Sequence, residues 1–195
     1  MAEVEPPDPE ELRERGEKAW SRRVALVTAI YAVALAIASL GGNNAMKEML
    51  LAQQQSSDQW AFYQAKVIRE HQYRGQKLLL EAQLAEPSAW KGAERARFEA
   101  LAGRFADEEK RYNAEKKDIE KDAKGLERER DQNRDRDPYF DYAEVLLQIA
   151  IVSSSVSILA ASRPMFGFSL ALAGLGGLLA LNGFTLLVKL PFLRH

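Results

Sequence analysis

Residues 24–42 read VALVTAIYAVALAIASLGG, an unbroken apolar run that decides the fold class of this chain. A helix needs about 20 mainly apolar residues to cross a bilayer, because unpaired backbone groups are not tolerated in hydrocarbon. Trp20, Arg22 and Arg23 precede the run, and tryptophan beside arginine is typical of a membrane boundary. The run predicts a first transmembrane helix. A cleaved signal peptide is the alternative, since residues 36–38 (AIA) resemble a cleavage box, but the long acidic leader and the length of the run favour the helix.

Two further apolar runs lie near the C-terminus, at residues 142–161 and 165–188. Only Ser162, Arg163 and Pro164 separate them, which predicts a tight helical hairpin. Pro164 suits the first turn of the third helix, where its missing N–H costs nothing. The third run is apolar on every face, whereas a helix of a soluble bundle carries one apolar stripe. We therefore predict an all-α integral membrane protein with three transmembrane helices.

The overall composition hides a division of the chain. It has 195 residues, of which 47% are hydrophobic and 28% charged, and its formal net charge is -1. The runs at 24–42 and 143–188 contain only Glu144 and Arg163 as charged residues, whereas residues 47–137 are densely charged. Dense opposite charges with a near-zero sum give no general attraction to nucleic acid, and no basic face with interleaved aromatics is present. These features exclude a nucleic-acid-binding protein.

Side chains suited to catalysis or metal binding are scarce. Cysteine is absent, which removes disulfides, thiol catalysis, Fe–S clusters and cysteine zinc sites. His71 and His195 are the only imidazoles, and His71 has no histidine or carboxylate three or four residues ahead of it. No nucleophile–base pair or carboxylate constellation meets the criteria for an active site. We predict no catalytic, cofactor-binding or metal-binding residues, and a protein that is not an enzyme.

The segment between the first two apolar runs, residues 43–141, contains few helix breakers. Pro87 and Ser88 form its main interruption, where one helix can end and the next be capped. This predicts two arms of similar length, about 45–85 and 89–134, folded into an antiparallel, coiled-coil-like hairpin. Asp137-Pro138 predicts the capped start of the second transmembrane helix. The predicted organisation is a polar N-terminal segment with a short helix at 1–23, transmembrane helices at 24–42, 142–161 and 165–188, the hairpin at 43–141, and a tail at 189–195.

A seven-residue period marks the second arm and predicts its packing face. The first arm offers a stripe of apolar and small residues at comparable spacing, formed by Ala61, Ala65, Ile68, Gly75, Leu79 and Ala82. The residues predicted to pack between the arms are Trp60, Tyr63, Val67, Ile68, Phe98, Leu101, Phe105, Tyr112, Ile119 and Leu126.

Polar and small residues within the apolar runs form a second group of candidates. Polar groups at membrane depth face protein or water, so they predict either interhelical hydrogen bonds or a polar path. The candidates for such a path are Gln148, Ser153, Ser154, Ser157 and Asn182. Small residues spaced four apart let helices approach closely, and the predicted stripes are Ala34, Ala38 and Gly42; Ser153, Ser157 and Ala161; and Ser169, Ala173 and Gly177.

The basic residues near the apolar runs bear on orientation. Arg13, Arg15, Lys18, Arg22 and Arg23 precede the first run, and Arg163 would lie on the same side. The positive-inside rule then places the N-terminus in the cytoplasm and the arms in the periplasm. Counting the basic residues of 124–136 at full weight would reverse this orientation. They belong to a long loop, however, and long loops contribute weakly to the rule.

The stretch at residues 29–71, AIYAVALAIASLGGNNAMKEMLLAQQQSSDQWAFYQAKVIREH, resembles the bacterial membrane-protein family called domain of unknown function 4337. The resemblance implies a bacterial inner-membrane protein and brings no established activity. From the architecture we expect a non-enzymatic scaffold or accessory subunit, embedded in the lipid bilayer and associated with further copies or with other membrane-protein subunits. A homo-oligomeric channel or transporter is the alternative.

Overall fold

The computed structural model describes residues 9–86 and 90–190, which form three α-helices. Helix α1 covers Pro9–Leu84, α2 covers Ala93–Leu159 and α3 covers Arg163–Thr185. No strand occurs among these described residues, so the predicted all-α class is confirmed. The predicted break at Pro87 and Ser88 lies outside the described residues, as does His195.

The three helices are long and apolar enough to cross a membrane, judged by length and composition. Contacts divide the chain into two compact units. We call Met1–Lys47 with Gln132–His195 the apolar unit, and Glu48–Asp131 the charged unit. Each unit contains packed segments of α1 and α2, and the apolar unit also contains α3.

Helices α1 and α2 continue through positions where the sequence predicts interruptions. Helix α1 has no break between the polar N-terminal segment and the first apolar run, or at Gly41 and Gly42. The predicted helix start at Asp137-Pro138 is wrong, because Pro138 lies inside α2. An internal proline costs about 3 kcal/mol. Tyr139 and Phe140, which follow it, are buried in the apolar unit, and we attribute the uninterrupted helical path to this packing.

The core of the apolar unit consists mainly of small side chains, which allow helix backbones to approach closely. Its central cluster is Ala38, Ala143, Leu147 and Ala180. Ala34 and Ala173 pack against this cluster, as do Leu35 and Leu179.

Burial along α1 and α2 follows a seven-residue period. Such a period keeps one face of a helix against its neighbour and is characteristic of left-handed supercoiled packing. Buried positions at this interval in α1 are Val24, Tyr31, Ala38, Ala45 and Ala52. In α2 they include Tyr112, Ile119, Asn133, Phe140, Leu147 and Ser154, with half-buried Leu126 at the intervening position.

Helix α3 begins as predicted and ends early. Pro164 lies in its first turn, after Ser162 at the N-cap. The helix stops at Thr185, three residues before the end of the third apolar run, because Leu186 adopts a left-handed conformation with φ 48°. Its N–H donates to the Asn182 carbonyl oxygen at 2.7 Å, which satisfies one of the terminal carbonyls.

Candidate functional site

Phe140 of α2 is the centre of the tightest contact in the apolar unit. The side chain is 1% exposed and meets the Phe184 ring edge to face, with ring centroids 4.8 Å apart. A Cβ atom added at Gly41 would lie 2.5 Å from the Phe140 ring and 2.8 Å from that of Phe184. A Cβ at Gly183 would lie 2.9 Å from the Phe140 ring. Glycine at both positions therefore makes room for the ring where α1, α2 and α3 meet.

The predicted small-residue stripes locate part of this packing. Ala38 and Gly42 are buried, and a Cβ at Gly42 would lie 3.1 Å from the Phe140 Cβ. Ala34 is half-buried against the core cluster. Ala161 lies beyond the end of α2, has φ 45° and is exposed.

In α3 the contact stripe departs from the predicted spacing. Ser169 is buried and Ala173 is half-buried against the core, whereas nothing lies within 4 Å of a Cβ added at Gly177. The neighbouring Gly176 makes the contact, because its Cβ would lie 3.0 Å from Leu147 Cγ and 3.1 Å from the Ala143 carbonyl oxygen. A strict four-residue spacing drifts around a helix of 3.6 residues per turn. The observed contacts alternate steps of four and three: Ser169, Ala173, Gly176, Ala180 and Gly183.

The predicted serine cluster forms one hydrogen bond between helices. Thr28 Oγ1 of α1 lies 2.6 Å from Ser154 Oγ of α2, and Thr28 also donates to the Val24 carbonyl oxygen at 2.9 Å. Because a hydroxyl has one hydrogen, Ser154 is the donor of the interhelical bond. Thr28 was not among the predicted residues, although a hydroxyl within the first apolar run is a signal that could have indicated it.

The other predicted polar residues act locally or face outward. Ser157 Oγ donates to the Ser154 carbonyl oxygen at 2.7 Å, and Ser169 Oγ donates to that of Phe166 at 2.8 Å. Ser153 is buried, whereas Gln148 is exposed. Hydroxyls that bond to the backbone of their own helix do not join it to another.

Asn182 binds the segment that follows α3. Its Oδ1 accepts from the Val188 N–H at 2.9 Å, and its Nδ2 donates to the Val188 carbonyl oxygen at 2.7 Å. The Tyr139 hydroxyl donates to the same carbonyl at 3.0 Å and accepts from the Leu190 N–H at 2.8 Å. Lys189 forms an ion pair with Asp135 at 3.0 Å. These bonds hold residues 188–190 against α2.

In the charged unit, polar and charged side chains connect α1 with α2. Trp60 Nε1 donates to the Glu127 carboxylate at 2.9 Å, and Lys77 pairs with Glu109 at 2.6 Å. From Gln53 to Lys77 along α1, the partners run in the opposite direction along α2, from Arg130 to Glu109, with one local exception at Lys66 and Glu70. Such pairs include Gln53–Arg130, Trp60–Glu127, Lys66–Glu115, Glu70–Lys116, Arg74–Glu109 and Lys77–Glu109.

The Glu70–Lys116 pair is the most buried of these. The Glu70 side chain is 5% exposed and that of Lys116 is 20% exposed. A carboxylate at this depth requires a partner, since burying an isolated charge is strongly unfavourable.

Aromatic rings pack beside the ion pairs. Tyr73 of α1 stacks on Tyr112 of α2, with centroids 5.6 Å apart, and contacts Phe105 at 5.8 Å. Other ring contacts are local, between Trp60 and Tyr63 and between Trp90 and Phe98. The remaining predicted packing residues Val67, Leu101 and Leu126 are half-buried, and Ile119 is buried.

The charges of this unit shift several pKa values. The hydrogen bond from Lys77, together with the charge of Arg74, lowers the pKa of Glu109 below its usual 4.5. Lys66 lowers the pKa of Glu115 in the same way. The Arg69 and Arg111 guanidinium groups beside the Tyr112 hydroxyl lower the pKa of that phenol below 10.0. All three shifts favour the ionised forms.

The stripe of apolar and small residues predicted along the first arm does not pack on α2, whereas the predicted Trp60 beside it does. Ile68 is 67% exposed, and the other members of its predicted stripe, from Ala61 to Ala82, are exposed as well. Helix α1 instead directs Lys66, Glu70 and Tyr73 toward α2. An apolar pattern could not reveal this face, because its polar residues become favourable only beside complementary charges on α2.

The chain belongs to the family described as domain of unknown function (DUF4337), whose model matches residues 20–186. The match covers most of the chain, including both units, and confirms the resemblance seen at residues 29–71. The chain has no significant match among curated proteins or solved structures. Within residues 9–86 and 90–190, no group of three or more histidine, aspartate or glutamate side chains could hold a metal ion.

Proposed function

We propose that this chain is a multi-pass membrane protein that serves as a non-enzymatic scaffold or accessory subunit of a membrane complex. The observation that carries the proposal is the apolar outward face of α1 in the charged unit. Ile68 and Leu79 are 67% and 66% exposed, although α1 already packs on α2 through another face. Large exposed apolar side chains at regular spacing are suited to a protein partner.

Membrane insertion is supported by the outer surface of the apolar unit. Along its apolar runs, many exposed side chains are large and apolar, and water would oppose their exposure by about 25 cal/mol for each Å². A lipid bilayer removes this cost. The most exposed examples are Leu26, Ile30, Val33, Leu178 and Leu181, each more than 60% exposed.

The contacts of the charged unit support an antiparallel helical hairpin. The overall fall of the partner numbers, from Arg130 for Gln53 to Glu109 for Lys77, is the pattern of two antiparallel helices. In this proposal, residues 48–84 and 93–131 are the two arms that project from the membrane and present binding surfaces.

Charge distribution supports a cytoplasmic N-terminus in a bacterial inner membrane, with periplasmic arms. Trp20 and Phe166 are in ring contact at 6.4 Å, which brings the start of α3 to the same end of the apolar unit as Arg22 and Arg23. Arg163 begins α3 at that end. Basic residues near membrane-spanning helices favour the cytoplasmic side.

Topology can be tested by cysteine labelling, since the chain contains no cysteine of its own. Ser57→Cys and Arg163→Cys place single thiols at exposed positions of the charged unit and of the α2–α3 connection. A membrane-impermeant reagent should label Ser57→Cys in intact spheroplasts and Arg163→Cys only after lysis. The reverse pattern would contradict the proposed orientation, and extraction of the protein by alkaline carbonate would contradict membrane insertion.

The scaffold role predicts an assembly larger than one chain in native membranes. Particles excised with their surrounding lipid should contain either several copies or stoichiometric protein subunits, as measured by native mass spectrometry. A monodisperse single chain in such particles, without another protein, would overturn the scaffold proposal.

A conducting oligomer is the second candidate, favoured by the exposed amide of Gln148 and the buried hydroxyl of Ser154. It is the weaker of the two candidates, because the side chains of Ser157 and Asn182 bond to nearby backbone atoms. Ion flux through proteoliposomes equal to that of empty vesicles would eliminate it.

A further inference from the structure

A second heptad face runs along α1 in the charged unit, separate from the face that packs on α2. Its successive steps alternate four and three residues, which is the spacing of coiled-coil core positions. Every member is exposed and none is charged. We call this face the outer seam: Ala61, Ala65, Ile68, Gln72, Gly75, Leu79 and Ala82.

We propose that the outer seam binds the outer seam of a second copy of this chain, forming a parallel pair of α1 helices. This inference rests on the proposed membrane anchoring. Two copies inserted with the same orientation leave the bilayer at the same point of α1, so equal residues are separated from the membrane by equal lengths of chain. Anchoring also raises the local concentration of the two seams, which lets a modest interface assemble.

The residues that flank the outer seam permit a second copy as the partner, because they bring no like charges together. In a parallel pair, the flanking position g of one helix faces position e of the following heptad in the other helix. With Ile68 and Gly75 at position d, Gln64 would face Arg69 of the second copy, and His71 would face Gln76. No flanking pair places like charges together. The exposed face of α2 carries many charges of both signs, including Lys117, Lys121 and Arg128, and offers no comparable self-complementary surface.

The composition of the outer seam fits an in-register pair. Ala65, Gly75 and Ala82 allow close approach of the two backbones, while Ile68 and Leu79 supply apolar contact between identical residues. Gln72 occupies an a position, where its amide can hydrogen-bond with the amide of the same residue in the second copy. A single polar residue at such a position fixes register at some cost in stability.

Single cysteines provide the test, because a disulfide requires Cα atoms within about 4.4–6.8 Å of each other. Gly75→Cys lies in the outer seam, and Gly103→Cys on α2 is its matched control. Both glycines have nothing within 4 Å of an added Cβ, so neither substitution disturbs packing. Each full-length variant is oxidised mildly in native membranes, and the crosslinked homodimer is identified by its mass.

We expect about tenfold more homodimer for Gly75→Cys than for Gly103→Cys, the ratio given by a preference of ~1.4 kcal/mol. Adding Ile68→Glu to Gly75→Cys should reduce the yield to that of the control, because two buried carboxylates would face each other. Equal yields for the two cysteines, or crosslinks only to a protein of another mass, would overturn the pair. Carbonate extraction of the same membranes tests anchoring separately, so an inserted but uncrosslinked protein would count against this inference alone.

Discussion

At Gly41, the absence of a side chain determines how closely α1 approaches Phe140 and Phe184. The residue is helical and needs no unusual backbone angle, so its role is steric. The same applies to Gly183, whose missing Cβ also makes room for the Phe140 ring. Side-chain volume at these positions therefore bears directly on the packing of three helices.

Gly41→Ala should lower the stability of the folded protein by about 1–3 kcal/mol, the usual cost of an overpacked core. The reason is that the new methyl group would lie 2.5 Å from the Phe140 ring. Gly177→Ala is the control, since its Cβ meets nothing within 4 Å, and it should leave stability unchanged or raise it slightly. Thermal unfolding in lipid nanodiscs measures both, and similar midpoints for the two variants would contradict the steric role of Gly41.

Tyr139→Phe should loosen the segment after α3, because it removes the hydroxyl that accepts from the Leu190 N–H and donates to the Val188 carbonyl. Hydrogen exchange of the Leu190 amide is expected to accelerate by roughly five- to tenfold, the effect of losing a bond worth about 1 kcal/mol. Tyr142→Phe, at an exposed tyrosine of the same helix, is the control. Unchanged protection of Leu190 in Tyr139→Phe would show that Asn182 suffices to hold the segment.

Among the elements, the α1 and α2 segments of the charged unit are joined by ion pairs as well as by apolar and aromatic contacts. Glu70 and Lys116 form the most buried pair, and losing one partner leaves the other charge without compensation. The pair of Glu120 with Lys124 lies along one exposed helix face and should contribute little.

Glu70→Gln should destabilise the charged unit by about 1–3 kcal/mol, because the Lys116 ammonium would lose its carboxylate partner. Glu120→Gln, which removes an exposed pair within one helix, should cost at most about 0.5 kcal/mol. The comparison is made by thermal unfolding followed by far-ultraviolet circular dichroism. Replacing Lys116 as well, in Glu70→Gln/Lys116→Met, should restore part of the loss; failure of Glu70→Gln to exceed its control would refute the importance of the buried pair.

The charged unit should also lose stability in acid. The folded-state pKa values of Glu109 and Glu115 lie below the ordinary value of 4.5, because Lys77 and Lys66 stabilise the carboxylates. Their contribution is therefore complete above about pH 4.5 and is lost as the pH falls through the folded-state values. The double variant Glu109→Gln/Glu115→Gln should show a weaker fall in unfolding midpoint below pH 4.5. An acid profile identical to that of the unmodified chain would exclude these two groups as the cause, and Glu129→Gln is the exposed control.

At the scale of the whole molecule, the substitution sites Gly41 and Glu70 contact different residues. Gly41 approaches Phe140 and Phe184, whereas Glu70 pairs with Lys116. We therefore expect the destabilisation of Gly41→Ala/Glu70→Gln to equal the sum of the single effects within about 0.5 kcal/mol. Unfolding of the double variant and both single variants under one condition checks this, and a large deviation from the sum would reveal coupling between the two sites.

The architecture was predictable where composition alone dictates structure. Long apolar runs predicted helices at 24–42 and 165–188, and the seven-residue period of α2 predicted the buried side chains of Tyr112 and Ile119. The contact made by Gly176 was predicted at Gly177 instead, because a strict four-residue spacing departs gradually from the helical repeat of 3.6 residues.

The contact face of α1 in the charged unit could not be predicted in the same way. Lys66 and Glu70 look like solvated residues in isolation, and their partners on α2 lie more than forty positions away in the chain. The continuation of α2 through Pro138 was unpredictable for a similar reason, since the packing of Tyr139 and Phe140 involves residues remote in sequence. Local signals fail where a distant side chain supplies the stabilising contact.

The seven-residue period of α1 and α2 also makes the length of the arms adjustable in fixed steps. Removing one heptad from α1 and the facing heptad from α2 would shorten the pair by about 10 Å and return every remaining residue to its original face. Removing five residues would instead turn everything beyond the deletion away from its partners. Relatives with longer or shorter arms should therefore differ by whole heptads, inserted in both helices together, so that the length of the arms can change while their contacts persist.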